Sequence, residues 1–350
     1  MANASPTTFT STADDGRRRL VAILVALVLL CAIDVTLRYA APRLPELKDT
    51  GRVGGIAAVH QAVLNPSRAR GGCANLVVIV GSSTGLYGID ESVVEDGLSA
   101  QDARVLNLCV GASYGVTNVA VLRSVLSLQP TLVVWAIHPE MFMRPREPDP
   151  LALSEYWRPY ESAASTLGVS QLYQSFSDLE GRHRAVVSDL TVGCSSLFRL
   201  RALMFDQAIG IGRSARGSQS PWGRHRSPSL TTVWRAGQPL LPFKGFEPEA
   251  DWRPRATAAI AAAAALSRRE GCEVLVIRVP TGASRQATGA TADADRCIRE
   301  LCVVNGLGYA AIPCTVKPDW VSRDGFHLNA SGKAAVSRMA LPPIAQALSD

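Results

Sequence analysis

None of the eight cysteines of this 350-residue chain stands in a C-x-x-C pair, so zinc-ribbon and thioredoxin-like readings lose the spacing they need. The chain has no P-loop and no G-x-G-x-x-G turn, and no nucleotide cofactor is inferred. Of its histidines, His60, His183 and His225 stand in polar stretches without spaced Asp, Glu or Cys partners. They read as solvent-facing, and no metal is expected. Lysine is scarce: of 36 cationic side chains only four are Lys, so the formal charge of +6 reflects arginine usage. No basic run is interleaved with aromatics and no recognition-helix pattern occurs, which argues against a nucleic-acid partner. Long apolar runs are almost lacking too. Only one approaches spanning length, and a multi-span membrane protein is excluded.

What is present suffices for a sizeable core. The chain is 47% hydrophobic and 19% charged, too apolar to be disordered as a whole, and its length suits one elaborated α/β domain with appendages. Cys109, Cys272 and Cys314 sit in or beside apolar strand-like segments and read as small buried hydrophobes. The spacing leaves a Cys297–Cys302 disulfide open.

The one long apolar run starts after Arg17-Arg18-Arg19, is unbroken from Leu20 to Ile33 and is extended by Asp34–Leu37 before Arg38, the whole segment Leu20–Tyr39 being 20 residues. At about 1.5 Å per residue it reaches roughly the 30 Å of a bilayer core. No A-x-A cleavage site follows, so a retained signal anchor over 20–39 is expected rather than a cleaved signal. Residues 1–19 would then be a cytoplasmic tail and 40–70 a stalk containing a short helix. The domain at 71–350 is expected outside the cytoplasm, because a lone N-terminal anchor before one large domain commonly serves export.

Beyond the stalk the pattern alternates between strand and helix. Leu76–Val80 is a continuous apolar run of the kind buried on both faces of a sheet. Arg104–Leu108, Thr131–Ile137, Glu273–Ile277 and Gly308–Ile312 read as further strands. Helices are expected at Val116–Leu128, Ala256–Arg269, Ala292–Asn305 and Ala330–Leu348, the last capped by Asn329. Repeated βα units imply a parallel sheet covered on both faces. Residues 140–253, rich in Pro, Arg, Trp and Ser, are too long for a connection and read as an insertion, with Leu190–Ile209 helical.

Three features fall at the carboxyl rim of such a sheet, where open α/β sheets place their sites. Val80 runs into Gly81-Ser82-Ser83-Thr84-Gly85, a small-residue turn that would expose a serine hydroxyl and an N–H at a helix start. Gly111, after the second strand, could bring a backbone N–H to an oxyanion. Finally, Asp324 and His327 lie three residues apart on a short loop before the last helix. There the carboxylate can fix the imidazole tautomer and free the other nitrogen to take a serine proton.

In these blocks the chain resembles the SGNH/GDSL hydrolase superfamily over residues 75–137 and 254–350. The resemblance implies a flavodoxin-like three-layer α/β/α fold, acyl-ester hydrolysis or acyl transfer, and no cofactor or metal. Gly81-Ser82-Ser83 matches the first block and makes Ser83 the nucleophile; Gly111 matches the second; Asp324 and His327 match the last. Ser82 stands where the family usually has Asp. This looks like the branch of membrane-anchored envelope proteins that includes the one serving teichoic-acid D-alanylation. The third block, normally Gly-x-Asn-Asp, reads Ala136-Ile137-His138-Pro139-Glu140, so the Asn oxyanion donor is missing. His138 stands there as a candidate replacement donor beside Ser83 and Gly111, or as an ordinary polar loop residue. The resemblance thus implies an O-acyltransferase or esterase acting on an envelope polysaccharide or glycolipid, with a membrane-bound O-acyltransferase as a possible partner. The alternatives are a free-standing esterase or lipase, and a degenerate scaffold or polysaccharide-binding subunit.

Overall fold

The computed structural model describes residues 12–40, 58–59, 61–111, 113, 115–143, 252–282, 289–312, 316–322 and 324–350. His60, His183, His225, Cys194, Cys314, most of the expected stalk and nearly all of the insertion, including the 190–209 helix, lie outside the described residues.

Five strands form the frame: β1 (Asn75–Gly81), β2 (Ala103–Asn107), β3 (Leu132–Ile137), β4 (Glu273–Arg278) and β5 (Gly308–Ala311). They pair in parallel in the order β2-β1-β3-β4-β5, the flavodoxin-like arrangement. The expected strands are therefore found within a residue or two of their boundaries. The uninterrupted apolar character of β1 and β3 has its cause in burial on both faces. Alternate residues feed two cores. Val78, Val80, Trp135 and Val276 pack under helices α5 (Gly115–Leu126), α7 (Trp252–Glu270) and α8 (Gly289–Asn305). Val77, Ile79, Val134 and Ile277 pack under α3 (Ser83–Gly88), α4 (Glu91–Gly97) and α9 (Ala330–Ser349). The result is three layers.

Local chemistry accounts for the helix ends. Asn329 caps α9 by accepting the Gly332 N–H at 3.1 Å. Gly271, at φ +62, ends α7 in the left-handed conformation that glycine adopts without a Cβ penalty. Glycine is needed at Gly81 for another reason: a Cβ there would meet the Ala136 carbonyl oxygen at 2.3 Å. One side of β2 is not left open. The Val105 N–H donates to Glu95 Oε2 at 2.8 Å and the Asn107 N–H to Glu91 Oε2 at 3.0 Å, both acceptors coming from α4.

The N-terminal helix α1 covers Thr12–Ala40 and contains the expected 20–39; its apolar part, Arg18–Thr36, is long and apolar enough to cross a membrane and is unburied. Two expectations change. The boundary set at residue 70 falls too late, because Val59, Gln61 and Ala69 (the last in α2, Pro66–Arg70) are already buried, Val59 and Ala69 within the core. At the other side, the stretch assigned to the insertion begins with α6 (Glu140–Met143), whose Met141 and Phe142 belong to the same core, as does Trp252 at the far end. Cys297 and Cys302 are free thiols, so the disulfide left open is not formed; Cys109 and Cys272 are buried as expected.

Lys333, in the first turn of α9, is 4% exposed, and its ammonium makes no hydrogen bond among the described residues. Burial pushes its pKa down, against the opposing pull of Asp90, Glu91 and Cys109. A lysine lowered in the folded state holds fewer protons there than in the unfolded chain, so the stability deficit shrinks as pH rises from the lowered value toward 10.5. Lys333→Met is expected to raise the urea midpoint at neutral pH. Its advantage should narrow in the alkaline range, and a variant less stable than the parent at neutral pH would contradict this.

Candidate active site

The strand order reverses between β1 and β3, since β2 lies to one side of β1 and β3 to the other. The crevice beyond that point is the natural ligand position of such sheets. Ser83 is the first residue of α3, directly after β1, and is half-buried. Ser82, preceding it, caps α3: its Oγ accepts the Thr84 N–H at 3.3 Å and lies 2.8 Å from Thr84 Oγ1. Serine thus performs at position 82 the capping that an aspartate would perform there. The loop after β2 is tied to the same place. Val110 N–H donates to the Gly81 carbonyl at 2.8 Å, and the hydroxyl of buried Ser113, with its single proton, lies within hydrogen-bond distance of the Val110 carbonyl (2.7 Å), Asn118 Oδ1 (3.0 Å) and the Gly81 carbonyl (3.1 Å). Gly111 sits between these ties. Neither its N–H nor that of Ser83 is hydrogen-bonded among the described residues.

The second half of the site comes from the other end of the chain. The chain at 321–322 and 324–328 folds back on itself: Val321 and Leu328 form an antiparallel bridge, and Ser322 N–H donates to the His327 carbonyl at 2.8 Å. At the tip, Asp324 Oδ1 accepts the N–H groups of Phe326 (2.9 Å) and His327 (3.0 Å), while Oδ2 lies 2.5 Å from His327 Nδ1. The three-residue spacing works because the carboxylate grips backbone and ring together. On the far side of the ring, His327 Nε2 is 2.9 Å from Ser83 Oγ. A carboxylate facing Nδ1 leaves the proton there, so Nε2 is the acceptor for the Ser83 hydroxyl. The ring is flanked at its edges by Tyr87 (5.0 Å between centroids) and Phe326 (4.8 Å).

The sequence-derived pair Asp324–His327 and Ser83 are therefore brought together, across 244 positions of chain, and Gly111 is brought to the end of β1. His138 is placed at the end of β3 as expected and is buried. Its Nε2 faces Thr281 Oγ1 at 3.2 Å and its Nδ1 faces Glu140 Oε2 at 3.9 Å. The side-chain hydrogen bond of Ser83 goes to His327, and that of His138 to Thr281. Thr281, Glu140, Ser113, Asn118 and the flanking aromatics were not anticipated as part of the site. The one signal for Thr281 was its position: a small polar residue followed by glycine just past an apolar strand.

Partial burial pushes the Asp324 carboxyl up. Hydrogen bonds from the His327 ring and from the Phe326 and His327 N–H groups, with the imidazole's charge, outweigh it and hold the pKa below its ordinary value. For an acid lowered in this way, the stabilisation is complete above the ordinary carboxylate range, about pH 4. It is lost as pH falls through the lowered folded value. Asp324→Asn should therefore flatten the acid limb of the stability curve, modestly because the carboxylate is 43% exposed. Urea midpoints followed from neutral pH into the acid range check this; parallel curves for parent and variant would refute it.

No family model matches the chain, and no curated protein matches it. Among solved structures it is similar to a protein described as an acylhydrolase from Bacteroides fragilis, at 10% identity and a TM-score of 0.38, covering 84% of this chain and 96% of that one. It is also similar to a GDSL-like lipase from Bacteroides thetaiotaomicron, at 12% identity and a TM-score of 0.37, covering 84% and 98%. Likenesses of this depth say nothing about chemistry. The reading of the rim rests on its own geometry.

Proposed function

We propose that this chain is a serine acyl-ester hydrolase or O-acyltransferase of the SGNH/GDSL type. The observation that carries it is the unbroken line Asp324 Oδ2–His327 Nδ1, His327 Nε2–Ser83 Oγ, at 2.5 and 2.9 Å, laid across the switch point of a parallel sheet. Surface serines and histidines meet often; a carboxylate, an imidazole and a hydroxyl in hydrogen-bonded sequence at a helix start have a shared chemical use.

In this reading His327 Nε2 takes the Ser83 proton as Oγ attacks the ester carbonyl carbon. Asp324 keeps the resulting imidazolium in place and compensates its charge. The negative charge on the carbonyl oxygen is met by the N–H groups of Ser83 and Gly111, which no described acceptor uses. Nε2–H then protonates the leaving alkoxide, and an acyl group remains on Ser83. Water or a sugar hydroxyl, deprotonated by the same nitrogen, removes it.

The exposed apolar stretch Arg18–Thr36 supports a membrane anchor or a signal sequence at the amino terminus. We take it as an anchor with the domain outside the cytoplasm, and the acceptor as an envelope polysaccharide or glycolipid. A membrane-bound O-acyltransferase would be a fitting donor of the acyl group.

Two experiments test these levels separately. A fluorophosphonate probe on the solubilised protein should label Ser83 in peptide maps. Ser83→Ala and His327→Ala should each abolish labelling and turnover, with folding changed by no more than about 0.5 kcal/mol for the serine variant. Failure of the probe to label Ser83 in folded protein would leave a scaffold. Reporter fusions after residue 50 should register outside the cytoplasm; a cytoplasmic signal would remove the envelope substrate and keep only the esterase.

A further inference from the structure

Behind the catalytic line lies a second polar line that the reaction does not use: Glu140, His138 and Thr281, exposed by only 6%, 5% and 2%. Three polar side chains withdrawn from water this far are costly unless they satisfy one another. His138 Nε2 and Thr281 Oγ1 are hydrogen-bonded at 3.2 Å, and the Glu140 carboxylate lies on the Nδ1 side of the ring at 3.9 Å, beyond hydrogen-bond reach. The hydroxyl thereby ties the segment after β4 to the end of β3.

That segment bears directly on the base. Gly282, the next residue, donates its N–H to the Phe326 carbonyl at 3.0 Å. The two loops run so close that a Cβ on Gly282 would meet the Gly325 carbonyl oxygen at 2.2 Å. A second path runs through side chains: the His138 ring lies edge-on to Phe326 at 5.9 Å, and the Phe326 ring lies edge-on to His327 at 4.8 Å. Main chain and ring of the catalytic loop are both referred back to His138.

We propose that Thr281, hydrogen-bonded to His138, is a positioning residue that fixes the loop carrying His327 against Ser83. The proposal rests on the hydrolase reading above, and it gives His138 a role other than oxyanion donor. Loss of the hydroxyl would loosen the segment after β4, and displacement of the base by about 1 Å costs on the order of 10²-fold in rate. Substrate binding would be little affected, because none of the three groups is exposed at the crevice.

The test compares Thr281→Val, which keeps the shape and removes the hydroxyl, with Thr281→Ser, which restores it, using an activated acyl ester. Thr281→Val should lower kcat by about ten- to a hundredfold with KM within about twofold, and Thr281→Ser should recover most of the loss. Independently of turnover, the low-field proton resonance of the Asp324–His327 hydrogen bond should be present in the parent, in Ser83→Ala and in Thr281→Ser. It should broaden or vanish in Thr281→Val. Parental kcat with an unchanged resonance in Thr281→Val would overturn the proposal, as would a change confined to KM, which would mark Thr281 as a substrate contact. Should Thr281→Val fail to fold, His138→Gln, which removes the ring nitrogen that meets Thr281, carries the same test with the same two readouts. If Ser83→Ala keeps its turnover, the hydrolase reading fails while the resonance still decides the positioning.

Discussion

The close parallel pairing of β1 with β3 is the constraint on which the rest of the site depends. At Gly81 the two backbones approach until no side chain fits between them. This brings the strand ends level, so that the residues leaving β1 and β3 emerge side by side at the place where the strand order reverses. The same approach directs the chain out of β1 into a helix start instead of a longer loop. A bulkier residue at 81 would push the strands apart and shift the serine, the His138 ring and everything hydrogen-bonded to them. Close packing of the two strands thus sets where Ser83 and His138 leave the sheet.

The polar groups then add direction. Asp324 serves backbone and ring at once, Oδ1 holding the loop tip and Oδ2 the imidazole, so the ring turns only by giving up its bond to Oδ2. The loop after β2 is held by N–H and hydroxyl donors converging on the Gly81 carbonyl, which fixes Gly111 without using its own N–H. Donors left unspent beside a hydroxyl aimed at an imidazole are what distinguishes this rim from an ordinary set of loop ends. Preorganisation of this kind lets charge develop without rearranging the surroundings.

Much of this was legible in the sequence. Uninterrupted apolar runs such as Leu76–Val80 have one physical explanation, burial on both faces, and the sheet followed from them. Asp324 and His327 were legible because their contact is local, and Ser83 because its Gly-Ser-Ser turn, weak alone, occurs together with that pair ahead of the last helix. Thr281 and His138 were not legible as a pair: 143 positions separate them, and only the adjacency of β3 and β4 makes them neighbours. The early start of the domain at Val59 escaped for the opposite reason. A short segment flanked by prolines and glycines gives too little periodicity to show which of its faces is covered. Likewise, the role of Glu91 and Glu95 depends on where α4 lies over β2, which no local pattern records.

Those two glutamates have a consequence for the molecule among its own copies. A strand at the margin of a sheet is a template, and at the concentrations of a crowded compartment a template invites growth. Here two of the donors that an incoming strand would seek are already engaged by carboxylates of the same chain. Any newcomer must displace them and leave negative charge without its partners. The β2 margin therefore works as an end-stop, and further growth of the sheet is discouraged on that side. In colloidal terms the protein carries its own terminator, built from α4.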